Sequence, residues 1–200
     1  MNVMIVFIDR QHSGKPSKIN DRGASKDING YGEITAEELE AIWTGRLAIE
    51  LEVKLLDMGI KVFPISDGKY IDRHKRVNFY AEQHPGPWVY LAMHLNSGGG
   101  NYGSFFYDHR SRSGQQLGTI LAQQLGQDIP EIESTKAIEC NKDNWTKNAF
   151  FTIRNVGRPV AICCEPFFID SHQGLLSIRN IARVAFSMAK ALRTWRDQHD

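Results

Sequence analysis

Short apolar runs alternate with longer amphipathic segments along most of the chain. The runs are rich in β-branched and aromatic residues, and several end at glycine or polar residues, as strands do. We predict six strands: Val3–Ile8, "KVFPIS" from Lys61, "WVYLAMHL" from Trp88, "GSFFYD" from Gly103, "AFFTIR" from Ala149 and "VAICCEPFF" from Val160. Because proline cannot donate a ladder hydrogen bond, Pro64 predicts that the second strand lies at or near a sheet edge.

The segments between these runs show helical periodicity. In the first, from about Glu37 to Met58, apolar residues recur every four positions before Gly59 stops the run: Trp43, Leu47, Leu51 and Leu55. Further helices are predicted over Ile71–Glu82, Gly114–Gln127 and Leu175–Trp195. Strands that alternate with helices predict one α/β domain over residues 1–200, with a mixed, mostly parallel, twisted sheet and helices on both faces.

Composition narrows the classes of function. The 200 residues carry a formal net charge of +1, so bulk charge predicts no binding to nucleic acid. No apolar run approaches the length of a membrane span, and the first residues resemble a strand rather than a signal peptide. Three cysteines, an odd number, predict a reducing compartment of synthesis. We expect a cytoplasmically made monomer with no stable membrane insertion.

Polar side chains follow three of the predicted strands. His12 follows the first, His94 and Asn96 follow the third, and Glu165 lies within the last. In open α/β sheets, functional groups gather at the carboxyl ends of strands. A structural histidine and a salt-bridged carboxylate are the alternative interpretations. Two histidines and a carboxylate can also converge on a metal, and a catalytic zinc site needs three protein ligands.

These residues resemble the zinc-dependent N-acetylmuramoyl-L-alanine amidases of the Amidase_3 family. "IDRQHSG" is similar to the family's Asp-Pro-Gly-His-Gly-Gly, with Arg10-Gln11 in place of Pro-Gly, and it matches His12 to the first zinc ligand. "AMHLNS" matches His94 and Asn96 to the family's Ser-x-His-x-Asn, and "RPVAICCEPFFID" matches Glu165 to its catalytic glutamate. The family's remaining ligand is a glutamate near the start of the first helix.

Four glutamates compete for that position: Glu33, Glu37, Glu38 and Glu40. We favour Glu40, since "EAIWT" resembles the family's pattern, and Glu38 is the second choice. The resemblance implies hydrolysis of the amide between N-acetylmuramic acid and L-alanine of the peptidoglycan stem peptide. Zinc would be held by His12, Glu40 and His94, with Glu165 as the proton shuttle.

The resemblance to this family further suggests a phage endolysin. Such a protein is made in the host cytoplasm without a signal peptide and acts on the cell wall in the periplasm after release. Two alternatives remain open. A related zinc carboxypeptidase or N-acyl amino acid amidohydrolase would use the same site chemistry. A non-catalytic wall-binding module would be expected to lack catalytic residues, whereas His12, His94 and Glu165 are all present.

An EF-hand-like loop is predicted at about residues 27–38. Its sequence, "DINGYGEITAEE", places five candidate calcium ligands: Asp27, Asn29, Tyr31, Glu33 and Glu38. The side chain of Tyr31 is unsuited to the fifth position. The alternative is a glycine turn that enters a helix, with Thr35 and Glu38 as a capping box.

Four further residues receive weaker assignments. Asn96 is a candidate to support His94 or to bind the substrate. Arg154 and Asn155, after "AFFTI", are candidates to line a substrate groove, with a surface role as the alternative. His74 lies in the basic segment "DRHKR", and we expect it on a solvated helix face.

Overall fold

A computed structural model describes residues 4–11, 36–66 and 68–199, with residues 36–39 described by their backbone alone. The described strands are β1 Ile5–Arg10, β2 Lys61–Ile65, β3 Trp88–Met93, β4 Tyr102–Asp108, β5 Ser134–Cys140 and β6 Val160–Glu165. The described helices are α1 Ala36–Asp57, α2 Tyr70–Gln83, α3 Arg112–Asp128, α4 Lys147–Ile153 and α5 Ile178–Asp197, with a 3-10 turn at Gln173–Leu175.

The strands form one sheet in the order β2-β1-β3-β6-β4-β5. Neighbours pair in parallel throughout, except that β4 runs antiparallel to β6. The predicted mixed, mostly parallel α/β sheet is therefore confirmed. β2 lies at an edge, as Pro64 predicts, because an edge strand can leave one side of its backbone unpaired.

Helices cover both faces of the sheet. Apolar side chains of α1, α3 and α5 form the core on one face, and Val77 of α2 packs with Phe150 and Ile153 of α4 on the other. Side chains alternate along a strand, so the neighbours Cys163 and Cys164 enter opposite cores. Both cysteines are buried and free.

Two elements differ from the sequence prediction. The predicted strand "AFFTIR" is mostly helix α4, in which Ala149, Phe150 and Ile153 share one buried face at helical spacing. A short apolar run fits either element by periodicity, and packing decided for a helix. β5 was not predicted, because its charged residues at Lys136 and Glu139 interrupt the apolar pattern of this second edge strand.

The expected exposure of His74 is also wrong. Its side chain is 1% exposed, and its Nε2 lies 2.8 Å from the carbonyl oxygen of Thr152. Arg73 is equally buried, so two of the basic residues of "DRHKR" face the sheet rather than solvent. In the part of the chain described, no helix has the length and apolar character required to cross a bilayer.

Candidate active site

The pairing of β3 with β6 brings two of the predicted residues to one edge of the sheet. Met93 is level with Cys164, and the His94 backbone N–H donates a 2.8 Å hydrogen bond to the Cys164 carbonyl. The next residue of β6 is Glu165. Parallel strands in register therefore place His94 and Glu165 side by side at the carboxyl ends of their strands.

The segments that follow β3 and β6 continue alongside each other beyond the sheet. The Asn96 N–H donates to the Phe167 carbonyl at 3.0 Å, and the Asn96 carbonyl accepts from the Ile169 N–H at 2.9 Å. The Asn96 side chain also forms a hydrogen bond with Glu165. Since the Asn96 Oδ1 already accepts from the Ser97 N–H at 2.8 Å, its amide N–H group is the donor to Glu165.

Glu40 reaches the same edge from the second turn of α1. Its side chain is 3% exposed, and Oε1 lies 3.3 Å from His94 Nδ1. The same oxygen accepts a 3.3 Å hydrogen bond from the Leu95 backbone N–H. Helix α1 packs against α5 and β1, which fixes the position from which Glu40 projects. A buried carboxylate and an imidazole thus form a contact pair beside Glu165.

The environment of Glu165 favours its protonated form. Burial, followed by the negative charge of Glu40, raises the pKa of Glu165 from 4.5 to about 7, and the hydrogen bond from Asn96 opposes this rise. A carboxyl group with a pKa near neutrality can both accept and return a proton. Glu165 is therefore chemically suited to general acid–base work.

Glu165 opens into a cavity of about 480 Å³. One wall is the glycine turn that follows β3, in which Gly98 and Gly99 adopt φ values of 114° and 78° that other residues rarely adopt. The Asp170 carboxylate accepts hydrogen bonds from both glycine N–H groups, at 2.8 and 3.0 Å. The lining also includes aromatic and amide side chains: Tyr102, Phe106, Trp145, Asn148 and Phe168.

Sequence reasoning did not single out the cavity residues Trp145 and Asn148, nor the bracing residue Asp170. The segment "NKDNWTKN" did contain a signal, because a tryptophan inside an otherwise polar stretch is unusual. Asp170 had no comparable signal, since its role depends on a turn that lies 71 residues earlier in the chain.

Other predicted residues lie elsewhere or outside the described part. His12 and the candidate calcium ligands Asp27, Asn29, Tyr31 and Glu33 are outside the described residues, as is the side chain of Glu38. Arg154 lines a separate cavity of about 270 Å³ with Asp108 and Arg110.

That second cavity lies at the end of β6 opposite Glu165. Because β4 runs antiparallel to β6, Asp108 at the carboxyl end of β4 lies toward the start of β6. Asn155 follows Arg154 there, and its carbonyl accepts a 2.9 Å hydrogen bond from Asn78. The structure therefore does not bring Arg154 and Asn155 to the cavity of Glu165.

A second buried charged cluster lies on the other side of β3, at the end of β1. The Asp9 carboxylate accepts a 2.6 Å hydrogen bond from Arg73 Nη1 and a 2.5 Å hydrogen bond from the Tyr90 hydroxyl. Arg73 Nε also donates to the Gly68 carbonyl at 3.0 Å. All three members of this Asp9 cluster, Asp9, Arg73 and Tyr90, are buried.

The donor chemistry of the Glu40–His94 pair fits a zinc site. Among residues 4–11, 36–66 and 68–199 there is no group of three or more potential metal-ligating side chains. His12, the third ligand implied by the family resemblance, is outside these residues. A buried carboxylate beside an imidazole supplies two of the ligand types that zinc takes in catalytic sites.

No protein-family model and no curated protein matches this sequence. Solved structures do match. N-acetylmuramoyl-L-alanine amidase AmiC2 of Nostoc punctiforme superimposes with a TM-score of 0.70 at 18% identity, over 97% of each chain. Cwp6 from Clostridium difficile has a TM-score of 0.71 at 17% identity, over 96% of this chain. This chain spans 29% of the length of Cwp6.

The catalytic domain of an endolysin targeting Clostridia difficile is a further structural match. Its TM-score is 0.59 at 19% identity, over 94% of this chain and 97% of that domain. At these identities the likeness establishes a shared fold. The class defined here is therefore an α/β protein that shares its fold with solved amidases and has a buried carboxylate–imidazole pair at the carboxyl edge of its sheet.

Proposed function

We propose that this chain is an N-acetylmuramoyl-L-alanine amidase that cleaves the amide between N-acetylmuramic acid and L-alanine of the stem peptide. One observation carries the proposal. A Glu40–His94 contact pair lies beside a Glu165 carboxyl group that has a pKa of about 7 and lines a cavity. The fold that carries this site is shared with a solved amidase.

We infer that zinc is the metal of this site, held by His12, Glu40 and His94. When bound, zinc would supply Lewis acidity toward the scissile carbonyl and toward water. Two ligands of one tetrahedral zinc lie roughly 3.3–3.5 Å apart, given metal–ligand bonds of about 2.0–2.2 Å. The 3.3 Å separation of Glu40 Oε1 and His94 Nδ1 is compatible with that spacing.

The chain's own residues then divide the proton transfers. Glu165 accepts a proton from the attacking water and returns it to the leaving nitrogen, for which a pKa near neutrality is suited. The Asn96 amide holds the Glu165 carboxyl in place and stabilises its charged form. The Asp170 carboxylate accepts hydrogen bonds from Gly98 and Gly99 and so fixes the glycine turn that lines the cavity.

The proposal extends to where the enzyme acts. We infer a phage endolysin that reaches the peptidoglycan from the cytoplasm of its host, supported by the shared fold with an endolysin catalytic domain. Calcium is a second proposed ligand, at residues 27–38. Titration with calcium, read by thermal shift, tests it, and no shift at millimolar calcium removes the calcium site.

Digestion of purified peptidoglycan, followed by mass spectrometry of the products, tests the amidase. We expect free stem peptides that begin at L-alanine, lost on chelation and restored by zinc. The matched control is Glu165→Gln, for which activity should fall by roughly 10²–10⁴-fold, as expected for loss of a general acid–base group. Glycan–peptide linkages that stay intact under all conditions would reject the amidase.

Product identity separates the alternatives. A carboxypeptidase or N-acyl amino acid amidohydrolase releases single amino acids, and a wall-binding module sediments with the wall without solubilising it. Zinc content of Glu40→Gln and Glu38→Gln separates the two candidate ligands. We expect the first variant to lose zinc and the second to retain it.

A further inference from the structure

Trp145 is the most exposed large apolar side chain of the described residues, at 70% exposure. The chain has four tryptophans, and the other three, Trp43, Trp88 and Trp195, are buried or half-buried. Keeping an indole face in water is unfavourable, and exposed aromatic side chains in a cleft mark binding sites. Trp145 lines the cavity of Glu165, so its exposed indole is available to a ligand bound there.

The loop that carries Trp145 is braced by its own polar side chains. The Thr146 N–H donates to Asn144 Oδ1 at 2.9 Å, and the Asn141 N–H donates to Thr146 Oγ1 at 3.2 Å. The indole meets Phe106 edge-on, with ring centroids 6.0 Å apart and an interplanar angle of 77°. Phe106 is itself buried in the sheet. Trp145 is thus a preorganised platform, which lowers the entropic cost of binding a ligand.

This platform belongs to the cavity of Glu165, where Tyr102, Phe106 and Phe168 add aromatic surface and Asn148 adds an amide group. Such a lining suits a pyranose ring. The C–H face of the sugar packs on an aromatic face, and its hydroxyl and acetamido groups take hydrogen bonds from amide and hydroxyl side chains. A planar aromatic platform beside short polar donors selects this shape over an extended aliphatic chain.

Charge separates the two halves of a peptidoglycan ligand. Among the described residues that line the cavity, Glu165 is the one carboxyl group, and no lysine or arginine is present. The stem peptide carries free carboxylates, for which this lining offers no cationic partner. The glycan is uncharged, because the lactyl carboxyl group of N-acetylmuramic acid forms the amide bond to the peptide. The described wall of the cavity therefore matches the sugar side of the scissile bond.

We propose that Trp145 forms a glycan subsite that stacks on an N-acetylated pyranose ring next to Glu165. This inference rests on the proposed amidase function for its substrate, but its test needs no hydrolysis. N,N′,N″-triacetylchitotriose is an uncharged N-acetylated probe, and a sugar-free stem tripeptide with free carboxylates is the opposing probe. Trp145 is the exposed fluorophore, so sugar binding should change the fluorescence of the chain.

We expect chitotriose to bind the full chain and Trp145→Ala to weaken this binding by about tenfold, the loss of one stacked aromatic face. Trp145→Phe should stay within about threefold, because it keeps an aromatic face. Phe186→Ala is the matched control, since Phe186 is exposed on α5, across the sheet from α4, and should bind as the parent does. Titration calorimetry measures the variants that lack the fluorophore.

Unchanged chitotriose affinity in Trp145→Ala, or no binding by the parent chain at millimolar sugar, would overturn the subsite. Loss of tripeptide binding alone in Trp145→Ala would also overturn it. The amidase proposal fails separately, through the products of peptidoglycan digestion. Equal urea midpoints for parent and Trp145→Ala exclude misfolding as the cause of a loss.

Discussion

Two carboxylates flank β3, and their surroundings differ in one respect. Asp9, at the end of β1, lies between the Arg73 guanidinium and the Tyr90 hydroxyl, at 2.6 and 2.5 Å. Glu165, at the end of β6, has the Asn96 amide for a hydrogen-bond donor and the negative charge of Glu40 nearby. One carboxylate has a built-in cation, and the other faces a second carboxylate.

This difference assigns different work to the two groups. Burial, and then the charge of Asp9, raises the pKa of Tyr90 well above 10. The hydroxyl therefore stays protonated and donates a hydrogen bond to Asp9. The charge of Asp9 also raises the pKa of Arg73, against the effect of burial. Tyr90 therefore stays neutral and Arg73 stays charged, and their hydrogen bonds to Asp9 anchor the end of β1. Glu165 lacks such a partner among the described residues and can exchange a proton near neutral pH.

Removing the cation of the Asp9 cluster should have the largest effect on stability. In Arg73→Met, Asp9 stays buried without its counter-ion, which costs about 3–5 kcal/mol of unfolding free energy. Urea unfolding measures this loss. Arg183→Met is the matched control, because its 2.6 Å ion pair with Glu131 is exposed and contributes about 0–1 kcal/mol. Equal losses in both variants would mean that the cluster does not stabilise the fold.

Removing the charge of Glu165 should act in the opposite direction. The folded state holds the Glu165 proton up to a pH of about 7, whereas the unfolded state releases it near 4.5. Stability of the metal-free parent therefore falls as pH rises through this window, because the folded state binds more protons. Glu165→Gln should remove that fall and gain up to about 3 kcal/mol at pH 8 relative to the parent.

Urea unfolding of chelated protein at pH 4.5 and pH 8 gives the comparison. The expected signature is near-equal stability of parent and Glu165→Gln at the lower pH and a more stable variant at the higher pH. A variant less stable than the parent at pH 8 would show that the Glu165 carboxylate is satisfied in the fold. The proposed proton-shuttle role of Glu165 would then lose its physical basis.

Sequence patterns predicted the parts of the fold that depend on long apolar periodicities. The stripe of Leu47, Leu51 and Leu55 in α1 is buried as predicted, and the edge position of β2 follows from Pro64. The segment 149–154 was wrongly predicted because a short apolar run satisfies both periods. Packing against the sheet, which no local pattern encodes, selects the helix.

Some residues of the candidate site could be predicted from the sequence, and others could not. His94 and Glu165 follow apolar strands, and parallel pairing brings strand ends together, so residue types and order were sufficient to nominate them. The favoured choice of Glu40 needed the family resemblance, and its contact with His94 depends on how α1 packs. The Asp9–Arg73 pair spans 64 residues, and Arg73 lies in a segment that resembles a solvated face. The burial of Arg73 follows from tertiary packing alone.

Tyr90→Phe tests the neutral half of the Asp9 cluster. The variant keeps the ring in its buried position and removes the hydroxyl that donates to Asp9 at 2.5 Å. Hydrogen bonds to charged groups contribute about 1.5–3 kcal/mol, so urea unfolding should show a loss in that range. The loss should be smaller in an Arg73→Met background, since the two donors share one carboxylate. Additive losses would show that Arg73 and Tyr90 act independently.

His74 contributes the smallest effect and is distinguished by its pH dependence. Burial lowers the pKa of His74 below 6.5, although its hydrogen bond with the Thr152 carbonyl opposes the shift. Below pH 6.5 the unfolded state binds a proton that the folded state excludes, so stability should fall as pH falls toward the lowered pKa.

In His74→Gln, the amide can still donate to the Thr152 carbonyl, but the ring contact with Tyr90, 5.6 Å between centroids, is lost. We expect a cost of about 1 kcal/mol at pH 7.5. Because the variant does not titrate at this position, that cost should shrink by pH 5. His109→Gln, which changes an exposed histidine, is the control for the pH series. If the difference in unfolding free energy between parent and His74→Gln stays constant from pH 7.5 to 5, His74 becomes protonated within the fold. Burial would then not lower its pKa.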